Sequence, residues 1–207
     1  MKSLAINTAS SISAIALLED GKIISERSWP SANDEAEKLM PAIEEMLAGD
    51  FAQIDNVLVV RGPGSFTGLR IGVATANAFA SLQQKPLYAI DAFQYWWKTD
   101  IDQDSDAALL IFAGKGGVYI SHSEIGKLYE LEDAKEYLQQ QGIKKIFGDI
   151  SQQQKEFFAD FEFIDNKTSF AQTIVKFDLK EMTIKKLVEP LYIKAPAITL
   201  SKKKLID

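Results

Sequence analysis

The 207-residue sequence predicts an α/β protein in two units, and three observations predict it. The opening reads as three short apolar strands joined by tight turns. Two helix-then-strand pairs follow. A polar, acid-rich break over residues 98–106, "KTDIDQDSD", then precedes a second set of strand patterns. The expected units are residues 1–100 and a smaller one, residues 101–207.

The elements follow in order. "SLAINTASSISAIALLEDGKIISERSW" carries a polar turn at Asn7 to Ser11 and an Asp20-Gly21 pair, the turn that right-twisted antiparallel strands favour, so it predicts a three-strand meander. "NDEAEKLMPAIEEMLAGD" places Ala36, Leu39, Met40, Ile43 and Leu47 at helical spacing. Acids lie in its first turn and Gly49 just beyond its end. Pro41 removes a hydrogen bond there, so a kink or a later start is expected. "NVLVV" reads as a buried strand. A glycine-rich turn and a helix over 66–83 follow, Pro86 stops that helix, and "PLYAI" opens the fifth strand. Three antiparallel strands, then helix, strand, helix, strand, is the order of a ribonuclease H-like core, shared by the actin, hexokinase and Hsp70 superfamily. Beyond the break, "AALLIFAG" and "GGVYISHSEI" predict strands. "LEDAKEYLQQQG" predicts a helix and "KKIFGD" a strand.

Composition bounds the function. The net charge of −6 argues against a protein that grips nucleic acid over its whole surface, which needs clustered Lys and Arg. The absence of cysteine excludes a disulfide framework, a thiolate metal site and a Cys nucleophile, and suits the cytoplasm. No apolar run reaches the roughly 18 residues of a membrane span, and no targeting segment is read at the start. The one histidine, His122, cannot by itself build an imidazole metal cluster, and there is no G-x-S-x-G elbow for a serine triad. Glu35, Glu37, Glu44 and Glu45 fit a solvated helix face and first turn. Trp29, Trp96 and Trp97 lack a neighbouring basic groove and read as packing residues.

The stretch "VRGPGSFTGLRIGVATANAFASL", residues 60–82, concentrates Gly62, Gly64, Gly68 and Gly72 between a strand and a helix. It is not a Walker A loop, because Leu69 and Arg70 follow the last loop glycine where Lys and Ser or Thr are needed. Nor does its glycine spacing fit the dinucleotide fingerprint. Ser65 is placed to cap the helix. Gly68, Gly72, Ala76 and Ala80 recur every four residues, flanked by Leu69, Val73, Phe79 and Leu82, and form a stripe another element can approach closely. Glycine within a helix costs about 1 kcal/mol relative to alanine, so the stripe needs a compensating contact. That contact lies either inside the chain, against the first helix or the sheet, or against another subunit.

"RGPGSFTGLRIG", residues 61–72, resembles the hallmark of the TsaB (YeaZ) family, which serves the synthesis of threonylcarbamoyladenosine beside the tRNA anticodon. "LAINTASSISAIALL", "LMPAIEEML", "GVY" at 117–119 and "EPLYIKAP" at 189–196 are similar to other family segments, in order. The resemblance implies an actin-like architecture with a reduced second domain, and a non-catalytic paralogue of the transferase TsaD. It implies that the first two helices pair with those of TsaD, or with a second copy when the protein is alone, and that TsaE joins a larger complex. The partner-facing residues expected are Leu39 and Ile43 on the first helix, with Phe66, Gly68, Leu69, Gly72, Val73, Ala76, Phe79 and Ala80 on the second. No catalytic, metal or cofactor residue is expected, and ATP is left to the partner interface alone. The sequence departs from the family at Asn7, where Asp is common, at Phe112, an acidic position, and at Gly117, where Glu is common.

Two further readings stand beside the scaffold: a small nucleotide-dependent enzyme of the actin and hexokinase type, and a protein that self-associates without TsaD. Over residues 178–207, seven Lys face four acids. Lys202, Lys203 and Lys204 are therefore candidates for tRNA phosphate contact in the assembled complex; otherwise tRNA is reached indirectly.

Overall fold

The computed structural model describes residues 1–32, 34–99, 106–122 and 126–193. Lys202, Lys203 and Lys204 lie outside the described residues, as does most of the acid-rich break.

Strand β1 (Lys2–Asn7) pairs antiparallel with β2 (Ile12–Glu19), which pairs antiparallel with β3 (Lys22–Pro30). Asp20 and Gly21 between them both have positive φ, 50° and 73°, as the predicted hairpin turn requires. Helix α1 (Glu35–Met46), β4 (Asn56–Val60), α2 (Phe66–Gln83) and β5 (Leu87–Ile90) complete a five-stranded sheet in the order β3-β2-β1-β4-β5. The chain helix starts at Glu35 and runs through Pro41 without the later start considered above. A short helix, α3 (Ala92–Trp97), follows, with a capping box between Asp91 and Gln94.

Strands β6 (Ala107–Phe112), β7 (Gly117–Ser121) and β8 (Gly126–Glu130) form a second meander. With helix α4 (Leu131–Gln140), strand β9 (Lys145–Asp149), helix α5 (Gln152–Phe157) and the two-residue strand β10 (Glu162–Phe163), they build a second sheet, β10-β9-β6-β7-β8. Read from its third strand, this is the same order as the first sheet. The ribonuclease H-like arrangement occurs twice, the second time with a shorter fifth strand, giving an α/β fold of two domains.

Period-two alternation sorts the side chains. In β1, Leu4 and Ile6 point to the face covered by α1 and α2, while Ala5 points to the opposite face. In β4, Val57 and Val59 separate from Leu58 and Val60 in the same way. The face holding Ala5 and Leu58 shares one core with Leu109, Ile111, Tyr119 and Phe147 of the second sheet, bridged by Phe93 and Trp96 of α3 and by helix α6 (Phe170–Ile174). Each fully buried aliphatic or aromatic residue stabilises the fold by about 1.5–3 kcal/mol. This shared core therefore binds the two sheets firmly. The outer face of the second sheet packs Leu110, Val118 and Ile146 on Ala134 and Leu138 of α4.

Residues 170–193, assigned by the sequence reading to the second unit, return to the first sheet. Helix α6 packs on β2 and β3. Lys185 N–H donates to the Leu87 carbonyl at 2.8 Å, on the free edge of β5. Asn77 of α2 then grips Val188 with both ends of its amide, donating to the carbonyl at 2.8 Å and accepting from the N–H at 2.9 Å. Among the described residues, no helix is long and apolar enough to cross a membrane.

Candidate docking face and the cleft between the sheets

The glycine-rich turn is a seat for the chain's own backbone. A Cβ built on Gly64 would lie 2.1 Å from the Ala9 carbonyl oxygen, one on Gly68 1.9 Å from the Thr8 carbonyl oxygen, and one on Gly72 2.1 Å from Thr8 Oγ1. The stripe is cut away to admit the turn after β1. Hydrogen bonds fasten the two together: Ser65 N–H donates to the Ala9 carbonyl at 2.8 Å, and Thr8 Oγ1 donates to the Gly68 carbonyl at 2.6 Å. Ser65 Oγ caps the helix by accepting from Gly68 N–H at 3.3 Å, as its N-terminal position predicts.

Nine of the ten residues expected to face a partner lie in the interior of the chain. Leu39, Ile43, Val73, Ala76, Phe79 and Ala80 are buried in the core that α1 and α2 form on the first sheet, Leu69 is buried in the core shared by the two sheets, and Gly68 and Gly72 are buried against the turn. Of the ten residues, only Phe66 is exposed, at 40%. The physical reason is that small residues mark a close approach without saying what approaches. Here the approaching element is β1 and its turn.

A second four-residue series, offset by two positions, lies on the opposite side, since two residues turn a helix through about 200°. Phe66, Arg70, Ala74, Ala78 and Leu82 are all exposed. Met40 and Ala36 of α1, which contacts α2, are exposed as well. Phe66 packs against Tyr192 with ring centroids 5.1 Å apart, and the Arg70 guanidinium lies 5.5 Å from the Phe66 ring centre. The same i, i+4 count that picks out the inner stripe, started two residues earlier, finds this face.

Between the sheets lie two adjoining clefts of about 360 and 220 Å³, with Ser10, Ser11, Asp149 and Ile150 on the wall of both. Several of their polar groups bond one another, while the buried Trp96 indole N–H on the larger cleft's wall has no hydrogen-bond partner. Asn7 Oδ1 accepts from Ala9 N–H at 3.0 Å, and its Nδ2 donates to Ser10 Oγ at 3.1 Å. The Asp149 carboxylate takes both donors of Ser11, the N–H at 2.7 Å and the hydroxyl at 2.5 Å. Glu26 accepts from Ser169 Oγ at 2.6 Å and from Phe170 N–H at 3.0 Å. Burial raises the Asp149 carboxyl above its ordinary value, against the opposing pull of the Ser11 hydrogen bonds and of Lys155.

The donors of the β1–β2 turn that face this cleft are already taken: Ala9 N–H by Asn7, and both Ser11 donors by Asp149. Phe112 lines the smaller cleft and Gly117 begins β7, so neither supplies a carboxylate. Among the described residues, no three His, Asp or Glu are grouped to hold a metal ion. His122 is exposed just beyond β7, 5.8 Å from the Tyr137 ring, and partial burial lowers its pKa. Tyr95 is buried against α6 and pushed up to about 12 by desolvation.

Comparison with known proteins agrees with this architecture. A model of the family described as TsaD, tRNA N6-adenosine threonylcarbamoyltransferase, matches residues 30–204. The tRNA threonylcarbamoyladenosine biosynthesis protein TsaB of Bacillus subtilis (strain 168) is 31% identical over 122 residues, 58% of this chain and 53% of that protein. TsaB of Escherichia coli (strain K12) is 28% identical over 93 residues, 44% of this chain and 40% of that protein. The chain thus spans about half the length of the curated relatives it matches. The structure of YeaZ from Pseudomonas aeruginosa shares the fold with a TM-score of 0.65 at 18% identity, covering 92% of this chain and 99% of that one. The chain belongs to the family whose model is described as TsaD, and within it to the TsaB (YeaZ) proteins.

Proposed function

We propose that this protein is a non-catalytic scaffold in the synthesis of threonylcarbamoyladenosine on tRNA, and that it docks a TsaD subunit on the outer face of α1 and α2. The observation that carries the reading is that face: Met40, Phe66, Ala74, Ala78 and Leu82 are exposed on two adjacent helices whose opposite sides are locked into the first sheet. Large apolar side chains and alanines let another helix pair come close, while the buried stripe holds α2 rigidly in place. The TsaD family model and the TsaB relatives support the partner class, and the turn donors already taken by Asn7 and Asp149 favour a scaffold over a nucleotide-dependent enzyme. In this reading TsaE joins the assembly, tRNA is held by the complex, and any ATP sits at the partner interface. The cytoplasm, where tRNA is modified, is the expected compartment.

Light scattering after size-exclusion chromatography tests it, using this chain mixed with TsaD from the same source. A one-to-one complex supports the reading. A chain that stays apart from TsaD at micromolar concentration and dimerises alone favours self-association through the same face.

A further inference from the structure

The turn between β1 and β2 is held from two sides. On one side it carries α2: Ala9 accepts from Ser65 N–H at 2.8 Å, Thr8 Oγ1 donates to the Gly68 carbonyl at 2.6 Å, and Gly64 and Gly68 leave no room for even a methyl group between helix and turn. Helix start and turn therefore move together. On the other side, Asp149 at the end of β9 reaches across from the second sheet and takes both Ser11 donors, at 2.7 and 2.5 Å. Asn7 stiffens the turn between these points by bonding Ala9 N–H and Ser10 Oγ. The path from the second sheet to the first turn of α2 is continuous, and each link is a hydrogen bond or a contact without slack.

We infer that Asp149 is a positioning residue for the docking helix, fixing the first turn of α2, and with it Phe66 and Arg70, through Ser11 and the β1–β2 turn. The inference rests on the docking reading above for its consequence, but the coupling itself does not. A two-donor, charge-assisted clasp is among the stronger single polar contacts, and its loss frees the turn from the second sheet. Lys155 and Glu26 also face this cleft, so the variant should remove the carboxylate and not add charge.

The test is amide hydrogen exchange on the full chain carrying Asp149→Ala, together with its affinity for TsaD by calorimetry. Exchange at Ser65 and Gly68 is expected to rise about tenfold, as loss of one charge-assisted contact implies. Amides in the second half of α2 and in α4 keep their protection. Affinity for TsaD falls about five- to tenfold. Ser11→Ala added to Asp149→Ala changes little further, and Asp149→Asn, which keeps one acceptor oxygen, gives intermediate values and serves if the alanine variant folds poorly. Unchanged exchange at Ser65 and Gly68, or an equal rise throughout the chain, overturns the coupling. Faster local exchange with undiminished TsaD affinity overturns the positioning role. Absence of TsaD binding by the unaltered chain defeats the docking reading instead, while the exchange result still decides the coupling.

Discussion

Replacing Gly72 by Ala is expected to destabilise the protein although it improves helix propensity. The new Cβ would stand 2.1 Å from Thr8 Oγ1, with Ile6 Cγ2 at 3.6 Å behind it, so Thr8 must rotate or the helix must lift. Overpacking of this kind costs about 1–3 kcal/mol. Displacing Thr8 Oγ1 also breaks its buried 2.6 Å bond to the Gly68 carbonyl, worth about 1–2 kcal/mol. Alanine returns about 1 kcal/mol of propensity. The net loss is about 1–4 kcal/mol, and at a denaturant slope of about 2 kcal/mol/M the urea midpoint falls by roughly 0.5–2 M. In a Thr8→Ala background the obstructing oxygen is gone, and the same change costs less than about 1 kcal/mol. An unchanged or raised midpoint for Gly72→Ala alone, or full additivity with Thr8→Ala, refutes the packing account. Arginine at this position is a poor probe of docking, because it breaks the core before it reaches any partner.

Other expectations follow from the same contacts. Asn77→Ala strands the N–H and C=O of buried Val188, costing about 2–4 kcal/mol; limited trypsin digestion after Lys185 or Lys186 then proceeds faster than in the unaltered chain. Burial raises the folded-state pKa of Asp149 above its ordinary value, so the native state holds this proton more tightly than the unfolded chain does. Its contribution is complete below the unfolded pKa, near 4, and is lost as pH rises through the folded value. Measured against Asp149→Asn, the stability of the unaltered protein therefore declines with rising pH over that acid window. A difference that grows with pH would mean that the Ser11 bonds outweigh desolvation.

How much of this was legible in the sequence varies with the physics of each element. Helix 66–83 is found with its bounds because Ser65 supplies a cap and the apolar spacing is sustained over 18 residues. The Asp20-Gly21 hairpin is local chemistry and reads directly. Helix α3 escapes notice because six residues are too few to show a period; its only signal is the Asp91 to Gln94 capping box. Strand β8 is short and half exposed, so alternation is weak there. The second occurrence of the strand order leaves no repeat in the sequence, since the order requires only apolar alternation at the right places. At the candidate site, the stripe of Gly68, Gly72, Ala76 and Ala80 gives the closeness of the contact but not its partner. Asp149 could not be singled out, because its role depends on a sheet crossing that joins residues 138 positions apart.

The most direct test of the central claim is calorimetric titration of TsaD into the unaltered chain and into Ala78→Arg. Ala78 is exposed midway along the outer face of α2, so an arginine there projects a charge into the proposed helix contact while leaving the buried stripe intact. The account predicts one-to-one binding by the unaltered chain and affinity weakened at least about tenfold by the variant, with equal thermal stability of the two free proteins. Equal affinities would place TsaD elsewhere on this protein and contradict the account.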